Sequence, residues 1–243
     1  MARCSSTYGT NWSCLVRFAN TGSPRSKPTS RCFENILSGL TEFQVEVSRL
    51  FFSLPASDGF LLAGGGALLA SGLSMRPTRD LDFFGEQGRA DVGEMRRQFL
   101  VAASDNGWGC KVIQSSESFA RIHLVGSEEV LVDIAIDVAA RHAPVVTIVG
   151  PTFSSEELAG RKLLALYDRA EARDFVDVYV LCEVFGKDLI LARAAEIEGS
   201  VDRSSLAQMM ATISRFSDED LPIAQDRVLQ LREFFERWAS ELG

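Results

Sequence analysis

The apolar positions of this chain fall into two regimes. From Phe33 to Leu54 they recur at Phe33, Ile36, Leu37, Leu40, Phe43, Val47 and Leu50, a helical spacing that predicts one helix. Leu54 to Gly59 then reads as a turn, punctuated by Pro55 and Gly59. Short apolar runs follow. Phe60 to Ala63 and Asp80 to Phe84 predict strands, with Gly64-Gly65-Gly66 as a turn after the first and a helix starting at Ala67. Val92 to Asn106 predicts an amphipathic helix, and Lys111 to Ile113 and Ala120 to Val125 predict two further strands. Val130 to Val138 alternates most clearly. Val130, Val132, Ile134, Ile136 and Val138 share one face; Leu131, Asp133, Ala135 and Asp137 share the other. Two carboxylates on an otherwise apolar strand are costly in a core unless that face borders a cleft or a metal.

From Ser154 onward the pattern is helical. Ser154 and Glu157 have capping-box spacing. Helices are predicted over 156–170, 173–185, 187–199, 203–216 and 222–242. The expected class is α+β: a mixed-sheet region over 33–150, then an all-helical region over 151–243, divided near Pro144 to Phe153. Residues 1–32 carry five basic and no acidic side chains and only scattered apolar ones, so they read as a disordered leader.

Charge narrows the function classes. The formal charge is −8, and the basic leader leaves −13 for the rest. An acidic body argues against broad, nonspecific nucleic-acid binding, which needs many Lys and Arg contacts to phosphate. Any such contact must be local, for which Arg96, Arg97, Arg161, Lys162, Arg169 and Arg173 are candidates. The five cysteines lack zinc-site spacing and read as free thiols of a cytoplasmic protein. Two histidines, His123 and His142, make a Ser-His-Asp hydrolase or a multi-histidine metal site improbable.

The chemistry concentrates in Leu61 to Phe84. A strand ends in glycines, which let backbone approach a ligand closely. A helix then starts, with free N–H groups at its first turn. The next strand presents Asp80 and Asp82, two apart and therefore on one face. Asp133 supplies a third carboxylate, with Asp137 as the alternative. Three carboxylates from two strands can hold two Mg²⁺ ions, since that ion takes a few carboxylates plus substrate phosphates. Such a pair clamps the attacking and leaving oxygens of a displacement at phosphorus. Gly64, Gly65 and Gly66 would hold the β- and γ-phosphates.

These motifs resemble the nucleotidyltransferases of the polymerase-β superfamily, and within them the AbiEii/AbiGii and MenT-type toxins. Gly64-Gly65-Gly66-Ala67-Leu68 is similar to that family's G-G-T-A-L, and Arg76 to Phe84 to its R-x-[S/T]-x-D-L-D-F-F. Leu158 to Arg169 resembles its K-x-x-A-L-x-x-R helix, and Arg173 to Leu181 its R-D-x-x-D-[L/V]-x-x-L. The resemblance covers residues 35–185.

It implies a polymerase-β-type catalytic domain that transfers an NMP from an NTP to an acceptor such as the 3′ end of tRNA. It also implies a cognate antitoxin. Asp80, Asp82 and Asp133 would bind metal, and Asp133 would help deprotonate the acceptor. Lys162 would neutralise the triphosphate, and Asp177 would orient Lys162 or the substrate. Arg76 and Arg169 are further candidate phosphate or structural partners. Gly66 stands where Thr or Ser is usual, so a hydroxyl contact to phosphate would be lost. Thr78, two residues before Asp80, is a candidate regulatory position, because a phosphate there would add negative charge beside the metals. Asp174 reads as a cap or an arginine partner.

Two other classes share parts of the pattern. A haloacid-dehalogenase-like phosphohydrolase would use Asp80 as nucleophile, but wants a small residue where Phe83-Phe84 follows. A non-catalytic nucleotide-binding or antitoxin-like member would keep the fold without turnover. Residues 186–243 carry no readable acceptor signal.

Overall fold

A computed structural model describes residues 39–243, Met75 excepted. The predicted leader and the first residues of the predicted opening helix lie outside that range. Helix α1 runs Glu42–Ser53, later than its apolar spacing suggests. The reason is local. Thr41 caps it, accepting from the Gln44 N–H while the Gln44 side chain accepts from the Thr41 N–H. Gly39 just before has φ +134, which a helix cannot carry.

The centre is a mixed sheet of β1 (Phe60–Ala63), β2 (Asp80–Glu86), β3 (Gly109–Ser115), β4 (Phe119–Val125), β5 (Glu129–Asp137), β6 (Val145–Thr147) and β7 (Gly150–Thr152). Its order is β3-β4-β5-β2-β1-β7-β6. β2 pairs parallel with β5, and β1 antiparallel with β2. The β6–β7 hairpin was not expected, and it carries the sheet to Thr152, to the end of the region predicted as the boundary.

One face of the sheet is the core. Leu62, Leu81, Phe83, Ile122, Leu124, Val132 and Ile134 are buried there beneath α1 and α3 (Val92–Asp105). The Phe51 ring of α1 stacks on Phe83 at 3.7 Å and 7°, and Phe99 of α3 lies 5.9 Å from Phe51. The chain alternates at each strand, so the other face carries Asp80 and Asp82 of β2, Asp133 of β5 and Arg121 of β4.

That second face meets the helices. α2 (Gly64–Ala70) links β1 towards β2, and its first turn is made of the three glycines themselves. α4 (Ser155–Asp168) and α5 (Ala172–Phe185) are the helices that reach the carboxylates. α6 (Lys187–Glu198), α7 (Arg203–Ala211) and α8 (Gln225–Leu242) pack behind them. Phe235 of α8 meets Phe175 of α5 edge-to-face at 5.0 Å. The predicted 203–216 helix ends early, breaking into a 3₁₀ turn at Thr212–Arg215. Among the described residues no helix is long and apolar enough to cross a membrane.

Ser154 caps α4 as expected, accepting from the Glu157 N–H. The Glu157 side chain does not complete the box. It is fully buried, accepts from the Arg141 and His142 N–H groups, and pairs with Arg161 at 3.0 Å. It thereby ties the strand-to-helix connection to α4.

Candidate active site

Strand register builds the acidic side of the site. Asp82 stands opposite Asp133 on the adjacent parallel strand, and Arg121 stands opposite Asp133 on the antiparallel one. Asp80 lies two residues back on β2. Asp80, Asp82 and Asp133 all line one cleft between the sheet and α4, together with Gly64, Gly65, Thr78 and Phe84. Asp137 points elsewhere: its carboxylate accepts from Arg161 at 2.8 Å, and it does not line the cleft. Of the two candidates, Asp133 is therefore the one that shares the cleft with Asp80 and Asp82.

The helical side is cationic. Arg161 and Lys162 of α4, Arg169 at its C-cap and Arg173 of α5 line the cleft, joined by Arg76. Arg96 and Arg97 do not; they sit on α3, where Arg97 pairs with Glu94 at 2.6 Å. Lys162 is almost wholly buried and reaches Asp177 at 2.8 Å. The same carboxylate takes a two-pronged bond from Arg76, at 3.1 and 3.0 Å. Asp177 thus stands behind Lys162, off the cleft, and holds two cleft cations in place. Asp174 is buried likewise and is clasped by Arg169 at 2.9 and 3.1 Å while boxing the N-terminus of α5.

The two glycines on the cleft are there for space. Gly64 has φ +60, and a Cβ on it would fall 1.8 Å from Asp82 Oδ2. A Cβ on Gly65 would meet Thr78 Oγ1 at 3.1 Å. Gly66 differs. It is buried off the cleft, and a Cβ there would meet Leu81 at 3.2 Å. Phe83 is core, whereas Phe84 faces the cleft.

The acids are unequally satisfied. Asp133 accepts from Arg121 through both oxygens, at 2.8 and 2.6 Å. Asp80 accepts from Arg173 at 3.2 Å. Asp82 has no hydrogen-bond donor among the described residues, and its carboxyl is raised above the usual range. Burial is the main cause, and Asp133 and Asp80 add to it against the pull of Lys162. Asp177 goes the other way: burial pushes it up, but Lys162 and Arg76 outweigh burial and hold it low.

Residues 49–242 match the family described as "Nucleotidyl transferase AbiEii toxin, Type IV TA system". The chain belongs to that family. It is accordingly a nucleotidyltransferase, and an NTP is its substrate class. Two solved structures from Helicobacter pylori share the fold. One, described as a nucleotidyltransferase, is 19% identical with a TM-score of 0.50 over 84% of this chain and 97% of its own. The other, JHP933, is 19% identical with a TM-score of 0.51 over 84% and 95%. MenT4, a nucleotidyltransferase toxin of Mycobacterium tuberculosis, is 15% identical with a TM-score of 0.46 over 81% and 85%. Among curated protein sequences none matches.

A divalent metal typical of this fold has a fitting donor set here. Asp82 is a partly buried carboxylate without a donor, crowded by two other acids, which is the charge arrangement a hard cation relieves. The set is not closed, however. Among the described residues no three such side chains stand ready to share an ion, and Arg121 and Arg173 occupy the two outer acids. Arg121 is the residue that reading the sequence missed. Its signal was the β4–β5 hairpin: pairing outward from Val125 and Glu129 brings Arg121 opposite Asp133.

Proposed function

We propose that this AbiEii nucleotidyltransferase moves an NMP from an NTP to an RNA 3′ end, tRNA being the expected acceptor. It would use Mg²⁺ and act as a cytoplasmic toxin restrained by a cognate antitoxin. The observation that carries the reading is the cleft itself, with Asp80, Asp82 and Asp133 on the sheet facing Arg76, Lys162 and Arg169 across it. A phosphoryl centre needs both: acids for hard cations, and bases for phosphate charge.

Bound at Asp80, Asp82 and Asp133, two Mg²⁺ ions would polarise the α-phosphate and its leaving group. The chain's own residues do the rest. Asp133 takes the proton of the acceptor hydroxyl. That oxygen bonds to the α-phosphorus, the α–β phosphoanhydride breaks, and pyrophosphate leaves with the bond's electrons. Lys162, fixed by Asp177, and Arg76 neutralise the charge that moves onto the leaving group. Gly64 and Gly65 leave room for the phosphates. The acidic body leaves this cationic wall as the local place for RNA phosphate.

Thr78 lies on the cleft beside Gly65, with its backbone carbonyl held by Gln44 at 2.8 Å. A phosphate there would bring about two negative charges to the acids. It would therefore inactivate the enzyme, and full activity in Thr78→Glu would count against this role.

An end-labelling assay tests the function. Purified protein is mixed with Mg²⁺, total RNA and each α-labelled NTP in turn, with Asp80→Ala as control. Label in a tRNA-sized band, lost in the variant, is expected. Binding of nucleotide with no label in RNA would overturn the RNA acceptor and direct the search to protein or small-molecule acceptors.

A further inference from the structure

The proposed function needs Asp133 as a metal ligand, yet both of its oxygens are already taken by one guanidinium. Arg121 donates through Nε to Oδ1 at 2.8 Å and through an Nη to Oδ2 at 2.6 Å. We propose that Arg121 is the resting counter-ion of Asp133, is displaced from it when the divalent cation binds, and so sets the metal affinity of the site. This rests on the nucleotidyl-transfer reading above.

The arrangement follows from register. Arg121, Asp133 and Asp82 stand in one row across three neighbouring strands, roughly 4.8 Å from strand to strand. The row therefore reads cation, acid, acid, with Asp80 beside it. A guanidinium fork is the geometry that satisfies both oxygens of one carboxylate at once. It does for Asp133 what a divalent ion shared with Asp82 would do, and the two cannot share those oxygens without repelling. Mg²⁺ ligates oxygen at about 2.0–2.1 Å, inside the space the fork now fills.

Arg121 is also free to leave. Its side chain is 42% exposed, and among the described residues it donates hydrogen bonds to Asp133 alone, with the Phe119 ring 5.7 Å away. Arg76 makes the contrast. It too forks onto a carboxylate, but its side chain is 13% exposed and Asp177 is 1% exposed, so that pair is fixed.

The test is Mn²⁺ binding to the full chain without nucleotide, read from the electron paramagnetic resonance of free Mn²⁺. The proteins are wild type, Arg121→Gln, Arg121→Lys, Asp133→Asn and the Arg121→Gln/Asp133→Asn double variant. Circular dichroism confirms that each is folded. Arg121→Gln is expected to bind about tenfold tighter, equivalent to about 1.4 kcal/mol. Arg121→Lys, whose ammonium cannot fork, should fall between. Asp133→Asn should bind more weakly and should erase the gain in the double variant. Unchanged or weaker binding in Arg121→Gln, alongside a loss in Asp133→Asn, would overturn the counter-ion role and leave the function standing. A gain that survives Asp133→Asn would overturn it as well. Failure of all five proteins to bind Mn²⁺ would instead strike the metal-dependent function itself.

Discussion

On the sheet side of the cleft, Asp82 sits among two other acids, without a donor, and burial raises its carboxyl. On the helical side, Asp177 is buried more completely, yet Lys162 and Arg76 hold its carboxyl low. The two aspartates share Lys162 as a neighbour and differ in everything else. One is a stressed acid at a surface where a ligand can arrive. The other is a satisfied acid that positions cations. Burial alone does not separate a reactive acid from a structural one; the count of its donors does.

Replacing Asp82 by Asn should break this contrast most severely in function. Nucleotidyl transfer should fall by on the order of 10³-fold or more, since a charge at the reacting phosphate is lost. Asp177→Asn should act chiefly on stability. It leaves the buried Lys162 and the partly buried Arg76 without their acid, so unfolding should be easier by about 3 kcal/mol. For a domain of this size that lowers Tm by about 6–12 °C, measurable by calorimetry.

Gly64→Ala sharpens the comparison at the backbone. The left-handed φ costs about 1–3 kcal/mol with a side chain, and the new Cβ must push Asp82 aside. Activity should therefore fall, with a loss of Tm of about 2–12 °C.

The smallest effect is in pH. The folded pKa of Asp177 lies below its usual 3.8, so its stabilisation is complete above 3.8 and fades as pH falls through the folded value. The folded pKa of Asp82 lies above 3.8, so its burden is complete above the folded pKa and lifts as pH falls from there to 3.8. The Tm penalty of Asp177→Asn should thus shrink only below pH 3.8. Any Tm gain of Asp82→Asn should begin to shrink at higher pH. Paired melting curves across pH 3–7 would show whether the two windows are ordered in this way.

Much of this was legible in the residues. Alternation in Val130 to Val138 exposed the cost of Asp133, and the two-residue spacing placed Asp80 and Asp82 on one face. The family resemblance implied that Asp177 would orient Lys162 or the substrate, and the packing of α4 on α5 puts Asp177 2.8 Å from Lys162. Other features depended on partners distant in the chain. Arg121, inside the predicted strand Ala120 to Val125, was given no role, and it is hairpin register that puts it against Asp133. The packing of Gly66, whose Cβ direction points at Leu81, left no mark in the run of three glycines. The β6–β7 hairpin escaped because three-residue strands are too short to show a period. The Glu157 side chain had the spacing of a cap but found stronger donors in Arg141, His142 and Arg161.

The central claim is that the sheet face is an acid cluster held in readiness for a cation. Thermal melting of wild type and Asp82→Asn at pH 7, with and without Mg²⁺, tests it most directly. Without Mg²⁺ the variant should melt no lower than wild type, and Mg²⁺ should raise Tm of the wild type alone. A variant that melts several degrees lower without Mg²⁺, as Asp177→Asn should, would show that Asp82 is a structural acid and contradict the account.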